Sequence, residues 1–89
     1  MNCNDITIVN KLGLHARASA KFVEMASRFN STVTISRNGQ TVNGKSIMGL
    51  MMLAAAKGSE VTICSDGSDE QTATDGLCAL INDYFGEDE

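Results

Sequence analysis

The segment KLGLHARASAKF, residues 11–22, holds the chain's one histidine, His15, with Arg17 two positions later. The apolar spacing that follows predicts a helix beginning at Ala16, which puts His15 at its N-cap or just before it. Histidine is a poor choice there on stability grounds, since Ser, Thr, Asp and Asn cap better. A helix N-terminus presents unpaired N–H groups and about half a positive charge. That field disfavours an imidazolium, leaves a neutral ring with a free lone pair, and favours negative charge once it is attached to the ring. Arg17 adds a permanent cation whose forked donors match phosphate oxygens. These features point to a histidine that accepts and holds a phosphoryl group. No second acid or base stands nearby in sequence, which argues against hydrolysis or acyl transfer. The plainer alternative is a loop histidine without a role, the reading that composition alone favours.

The elements that must position His15 follow from periodicity. DITIV, residues 5–9, reads as a strand, and NKLGL as a loop. Ala18, Phe22, Met25, Ala26 and Phe29 then form one apolar helical stripe. In STVTISRNGQTVNG, Val33 and Ile35 alternate with Thr34 and Ser36, and Asn38-Gly39 suits a type I′ turn between two strands. KSIMGLMMLAAAKG reads as a short helix capped by Ser46 and ended by Gly58, with Leu50, Leu53 and Ala54 in the core. SEVTICS alternates as a further strand. SDEQTATDGLCALINDYF is the last helix, with Ser68 and Gln71 in capping-box register. Its predicted buried stripe is Ala73, Leu77, Leu80, Ile81 and Tyr84, and the tail GEDE reads as frayed and solvated. The order β-α-β-β-α-β-α predicts one α+β domain over residues 1–89, a four-stranded antiparallel sheet covered by helices on one face.

Composition narrows what such a domain can do. The net charge of −4 argues against general nucleic-acid binding, which rests on Lys and Arg neutralising phosphates. An RNA-recognition sheet needs aromatic residues for base stacking, and these strands carry none. A soft-metal chaperone needs paired cysteines near the first loop, and none stand there. Cys3, Cys64 and Cys78 are odd in number and widely spaced, so they read as three reduced thiols and no metal or redox motif. No run approaches the ~20 apolar residues of a membrane span, and MNCNDITIVN lacks the pattern of a signal peptide. A cytoplasmic protein without membrane insertion is the expectation.

GLHARASA resembles the active-site motif of the histidine-containing phosphocarrier protein (HPr) family of bacterial phosphotransferase systems, and GKSIMGLMMLAAAKG resembles that family's second signature. The likeness runs from the first strand to the last helix. It implies an open-faced β-sandwich with four antiparallel strands and three helices on one side. It also implies that enzyme I, phosphorylated from phosphoenolpyruvate, passes its phosphoryl group to His15, which passes it to a IIA-type acceptor. In the family Nδ1 carries the phosphate, and Arg17 matches the arginine that helps hold and release it. Ser46 matches the serine that an ATP-dependent HPr kinase/phosphorylase phosphorylates in many members. Ala16, Ala20, Ile47, Met48 and Met51 match an exposed partner-binding patch beside the histidine. The resemblance implies a monomeric carrier with no metal and no small-molecule cofactor, rather than a turnover enzyme. The alternative from another class is a non-transferring regulatory binder acting through the Ser46 face. Two positions depart from the family pattern: Ala18 stands where proline is common, and Leu12 where a polar residue is.

Overall fold

In the computed structural model, which describes residues 1–87, alternating apolar and polar side chains build four strands: β1 (Asn2–Thr7), β2 (Thr32–Arg37), β3 (Gln40–Asn43) and β4 (Glu60–Asp66). They pair antiparallel throughout, in the order β1-β4-β2-β3. The two-residue period decides the faces. Val33, Ile35, Val61 and Ile63 are buried on one side, while Thr34, Thr62 and Cys64 alternate with them on the other. Asn38 and Gly39 join β2 to β3 with φ of 51° and 83°, the left-handed pair that a type I′ hairpin requires.

The apolar face is covered by α1 (Ala16–Ala26), α2 (Ile47–Met52) and α3 (Glu70–Asn82), followed by a 3₁₀ turn at Tyr84–Gly86. Phe22 of α1, Leu50 of α2, Leu77 and Ile81 of α3 and Phe85 of the turn meet the inward strand residues in one core. Each such side chain stabilises the fold by about 1.5–3 kcal/mol. The architecture is the open-faced sandwich of four strands and three helices that the sequence predicts.

Several details differ from expectation. The first strand starts earlier and stops sooner than residues 5–9, because its register with β4 runs from Asn2↔Ser65 to Thr7↔Glu60. The second helix ends at Met52, well before Gly58. Ala54 adopts φ 51° and is exposed, so it leaves the core that Leu50 and Leu53 keep. The predicted Ser68–Gln71 capping box does not form. Asp69 is the N-cap of α3 without a side-chain cap bond, and its carboxylate instead accepts the Asn30 and Ser31 N–H groups at 2.9 and 3.0 Å. The Ser31 hydroxyl also donates to it, and these bonds hold the Asp69 carboxyl below its ordinary value. Gln71 is engaged with Asn2 and Asp75.

The thiol reading is also corrected. Register places Cys3 directly opposite Cys64, and the two form a disulfide between β1 and β4 with a Cα–Cα distance of 4.1 Å. Only Cys78 stays free among the described residues, buried with its Sγ accepting from Asn4 Nδ2. At the C-terminal end, Tyr84, Phe85 and Gly86 all have positive φ, at 58°, 54° and 77°. Left-handed backbone costs a non-glycine residue roughly 1–2 kcal/mol. It takes the chain off the helix, exposing Tyr84 and burying Phe85 in the place expected for its neighbour.

Candidate functional site

The loop before α1 is fixed by backbone contact. Gly13 has φ 66° and lies so close to the α2–β4 connection that a Cβ there would sit 2.4 Å from the Ala55 carbonyl oxygen. This approach lets Leu14 N–H donate to Ala55 O at 2.9 Å, while Gly13 N–H donates to Asn10 O. Leu14 is buried, and His15 follows as the N-cap of α1 in extended backbone. The placement agrees with the sequence reading.

Both ring nitrogens of His15 are engaged. Nδ1 accepts the Arg17 backbone N–H at 3.3 Å, and Nε2 lies 2.9 Å from Glu87 Oε2. A carboxylate only accepts, so the second bond requires the proton on Nε2, and the first requires a lone pair on Nδ1. The neutral Nε2–H tautomer satisfies both. The other oxygen of Glu87 receives Asn10 Nδ2 at 3.1 Å, and the same amide donates to Gly13 O at 2.9 Å. Asn10 is fully buried, and its Oδ1 has no hydrogen-bond partner among the described residues.

Sequence reasoning missed Glu87 and Asn10. Within the tail read as frayed and solvated, Glu87 lies against the histidine, and this carboxylate 72 residues away supplies the charged partner that local sequence lacks. Gly86 was the one local hint of a turn there. Asp88 and Glu89, the rest of the tail, lie outside the described residues.

The remaining expected residues sit as follows. Arg17 is exposed in the first turn of α1, and its guanidinium has no side-chain partner among the described residues. Alongside it, the first-turn amides of Ala16 and Ala18 have no acceptor within the helix, as at any helix start. Ala16 and Ala20, one turn apart, are both exposed, whereas Ala18 is buried. Ser46 is the N-cap of α2, its Oγ accepting Gly49 N–H at 3.0 Å. Ile47, Met48 and Met51 are exposed, with Met48 at 72% and the adjoining Met52 at 66%. Leu12 is exposed to the same degree. Because α1 packs against α2, the structure brings the His15 and Ser46 helices together. No three His, Cys, Asp or Glu side chains among the described residues cluster to hold a metal, and no helix there is long and apolar enough to cross a membrane.

Comparison with known proteins gives this arrangement a context. A family model for the PTS HPr component phosphorylation site matches residues 3–83. Phosphocarrier protein HPr of Cupriavidus necator is 62% identical over 85 residues, 96% of each chain. The crystal structure of an HPr from Thermoanaerobacter tengcongensis superposes with a TM-score of 0.96 at 43% identity, covering 100% of both chains. An HPr dimer from the same organism matches with a TM-score of 0.78 at 45% identity, over 92% of this chain and 94% of that one.

Proposed function

From the premise that this chain belongs to the HPr family of phosphocarrier proteins, we propose that His15 is its phosphoryl acceptor and donor. The observation that carries this reading is the Nδ1 lone pair held at the N-terminus of α1. In the forward step, Nδ1 attacks the phosphorus of a phosphohistidine on enzyme I. A new N–P bond forms as the donor's N–P bond breaks, and that electron pair returns to the donor ring. The Nε2 proton stays in place. Once Nδ1 has given its lone pair to phosphorus, the Arg17 N–H is free to turn to a phosphoryl oxygen. The Arg17 guanidinium and the amide ends of the helix stabilise the added negative charge. Transfer to a histidine of a IIA-type acceptor is the same step reversed. Positioning and electrostatics are the protein's whole contribution.

Ser46 serves as the regulatory site for an ATP-dependent HPr kinase/phosphorylase. A phosphate there adds about −1.5 to −2 charges at the start of α2, where a helix tolerates them, so the fold survives while partner approach changes. Ala16, Ala20, Ile47, Met48 and Met51 form the docking face, and the flexible thioethers repack against unlike partners. The working form is a cytoplasmic monomer, with the dimer known for the T. tengcongensis protein as its alternative. In a reducing cytoplasm, Cys3 and Cys64 would stand as two adjacent thiols. A non-transferring binder working only through Ser46 leaves the histidine and its prepared lone pair without a use.

The test is phosphorylation by purified enzyme I and labelled phosphoenolpyruvate, comparing the wild type with His15→Ala and Ser46→Ala. An acid-labile, alkali-stable label is expected on the wild type and on Ser46→Ala but absent from His15→Ala. No label on the wild type, with an enzyme I active on another carrier, would overturn the carrier reading.

A further inference from the structure

We propose that Glu87 is a positioning residue for His15, delivered by a C-terminal strap that locks the imidazole in its Nε2–H tautomer; this deepens the reading of His15 as phosphoryl acceptor and rests on it. The strap is built from three features. Phe85 is fully buried and anchors it, and Lys21 Nζ donates to the Phe85 carbonyl at 2.8 Å. Gly86, at φ 77°, then turns the chain toward the active loop. Glu87 ends the turn with both carboxylate oxygens engaged, one by His15 Nε2 at 2.9 Å and one by Asn10 Nδ2 at 3.1 Å. Asn10 is itself fixed, buried and donating to Gly13 O. A merely solvated tail charge would not be held at both oxygens with its side chain only 15% exposed.

The chemistry explains why such a strap matters. A neutral imidazole exchanges between two tautomers, and only the one with its proton on Nε2 offers the Nδ1 lone pair. A carboxylate on Nε2 selects that form before the donor arrives. When Nδ1 bonds to phosphorus the ring becomes cationic, its Nε2 proton remains, and the bond to Glu87 becomes charge-assisted. When the phosphoryl group leaves, the N–P electron pair returns to Nδ1 and the ring is neutral again. Glu87 thus favours the reactive tautomer and offsets charge in the phosphorylated state, without touching the phosphoryl group.

The experiment combines ring 15N chemical shifts of His15, recorded well above the histidine titration range, with the rate of labelling by enzyme I. Four full-length chains are compared: wild type, Glu87→Ala, Glu87→Gln and Gly86→Ala. The wild type should show one protonated Nε2 and one unprotonated Nδ1. Glu87→Ala should show averaged ring shifts and label about tenfold more slowly, the scale of losing one hydrogen bond to a charged group. Glu87→Gln should fall between, and Gly86→Ala, which displaces the strap without touching the carboxylate, should average the shifts as well. Unchanged thermal midpoints would separate this from a folding effect. Wild-type ring shifts and labelling rate in Glu87→Ala would overturn the proposal while leaving the relay intact. A wild type that takes no label would instead overturn the relay, and the ring spectra would still decide the tautomer role.

Discussion

At the start of α1 the His15 ring accepts an N–H two residues on at 3.3 Å, and at the start of α2 the Ser46 hydroxyl accepts one three residues on at 3.0 Å. Both side chains cap a helix, and the two helices pack together. Their support differs. Ser46 is held by its own neighbours, with its N–H donating to Asn43 O. His15 is held from outside its helix, by the Gly13–Ala55 approach on one side and by Glu87 and Asn10 on the other. Chemistry follows the same division. The histidine carries a prepared lone pair and needs only an electrophile, whereas a serine hydroxyl needs a base, which a kinase must bring. On the proposed reading, one helix start is built to react and the other to be modified.

Substitutions at and beside the two helix starts separate their roles. The largest effect should come from Arg17→Ala. Losing that cation should slow transfer from enzyme I about a hundredfold, the scale of removing one donor from a charge-stabilising site, and leave kinase phosphorylation of Ser46 unchanged. Rates with both partners check it. Gly13→Ala should be next, costing about 2 kcal/mol in denaturant unfolding, because it combines a left-handed φ with overlap of the Ala55 backbone. Gly49→Ala in α2 should instead stabilise by up to about 1 kcal/mol in the same measurement. Its Cβ would meet nothing nearer than 3.4 Å, and alanine gains about 1 kcal/mol of helix propensity over glycine.

Ser46→Ala should cost about 1 kcal/mol as a lost cap, with the rate of transfer to His15 intact. The smallest effect concerns a third helix start, where Asp69 turns its carboxylate away from α3. Its pKa is lowered in the fold, first by the Ser31 hydroxyl and then by the Asn30 N–H. The unfolded chain therefore binds the proton more readily, so this contribution is fully present above the unfolded value near 3.8 and is lost as pH falls through the folded one. Thermal melts in increasing acid should show a shallower decline for Asp69→Asn than for the wild type.

What the sequence revealed followed the same local-versus-distant division. Ser46 as a cap, Asn38-Gly39 as a turn and His15 at the start of α1 all depend on residues within a few positions, and each is where periodicity and turn chemistry placed it. The sheet and its covered face followed from alternation. Glu87 and the Cys3–Cys64 pair could not be read in this way, because their partners lie 72 and 61 residues away and only the strand register and the terminal turn bring them together. A terminal run of acidic residues carries no local sign of a contact. The early end of α2 was missed for a related reason: Gly58 was the nearest residue suited to a left-handed stop, yet Ala54 adopts that conformation.

The site of phosphorylation can be read directly by 31P and 15N NMR of the chain phosphorylated by enzyme I and phosphoenolpyruvate, with the histidine ring labelled. A phosphorus–nitrogen coupling to His15 Nδ1 is expected, with the proton still on Nε2. A phosphoryl group found on Nε2, or on Ser46, would contradict it.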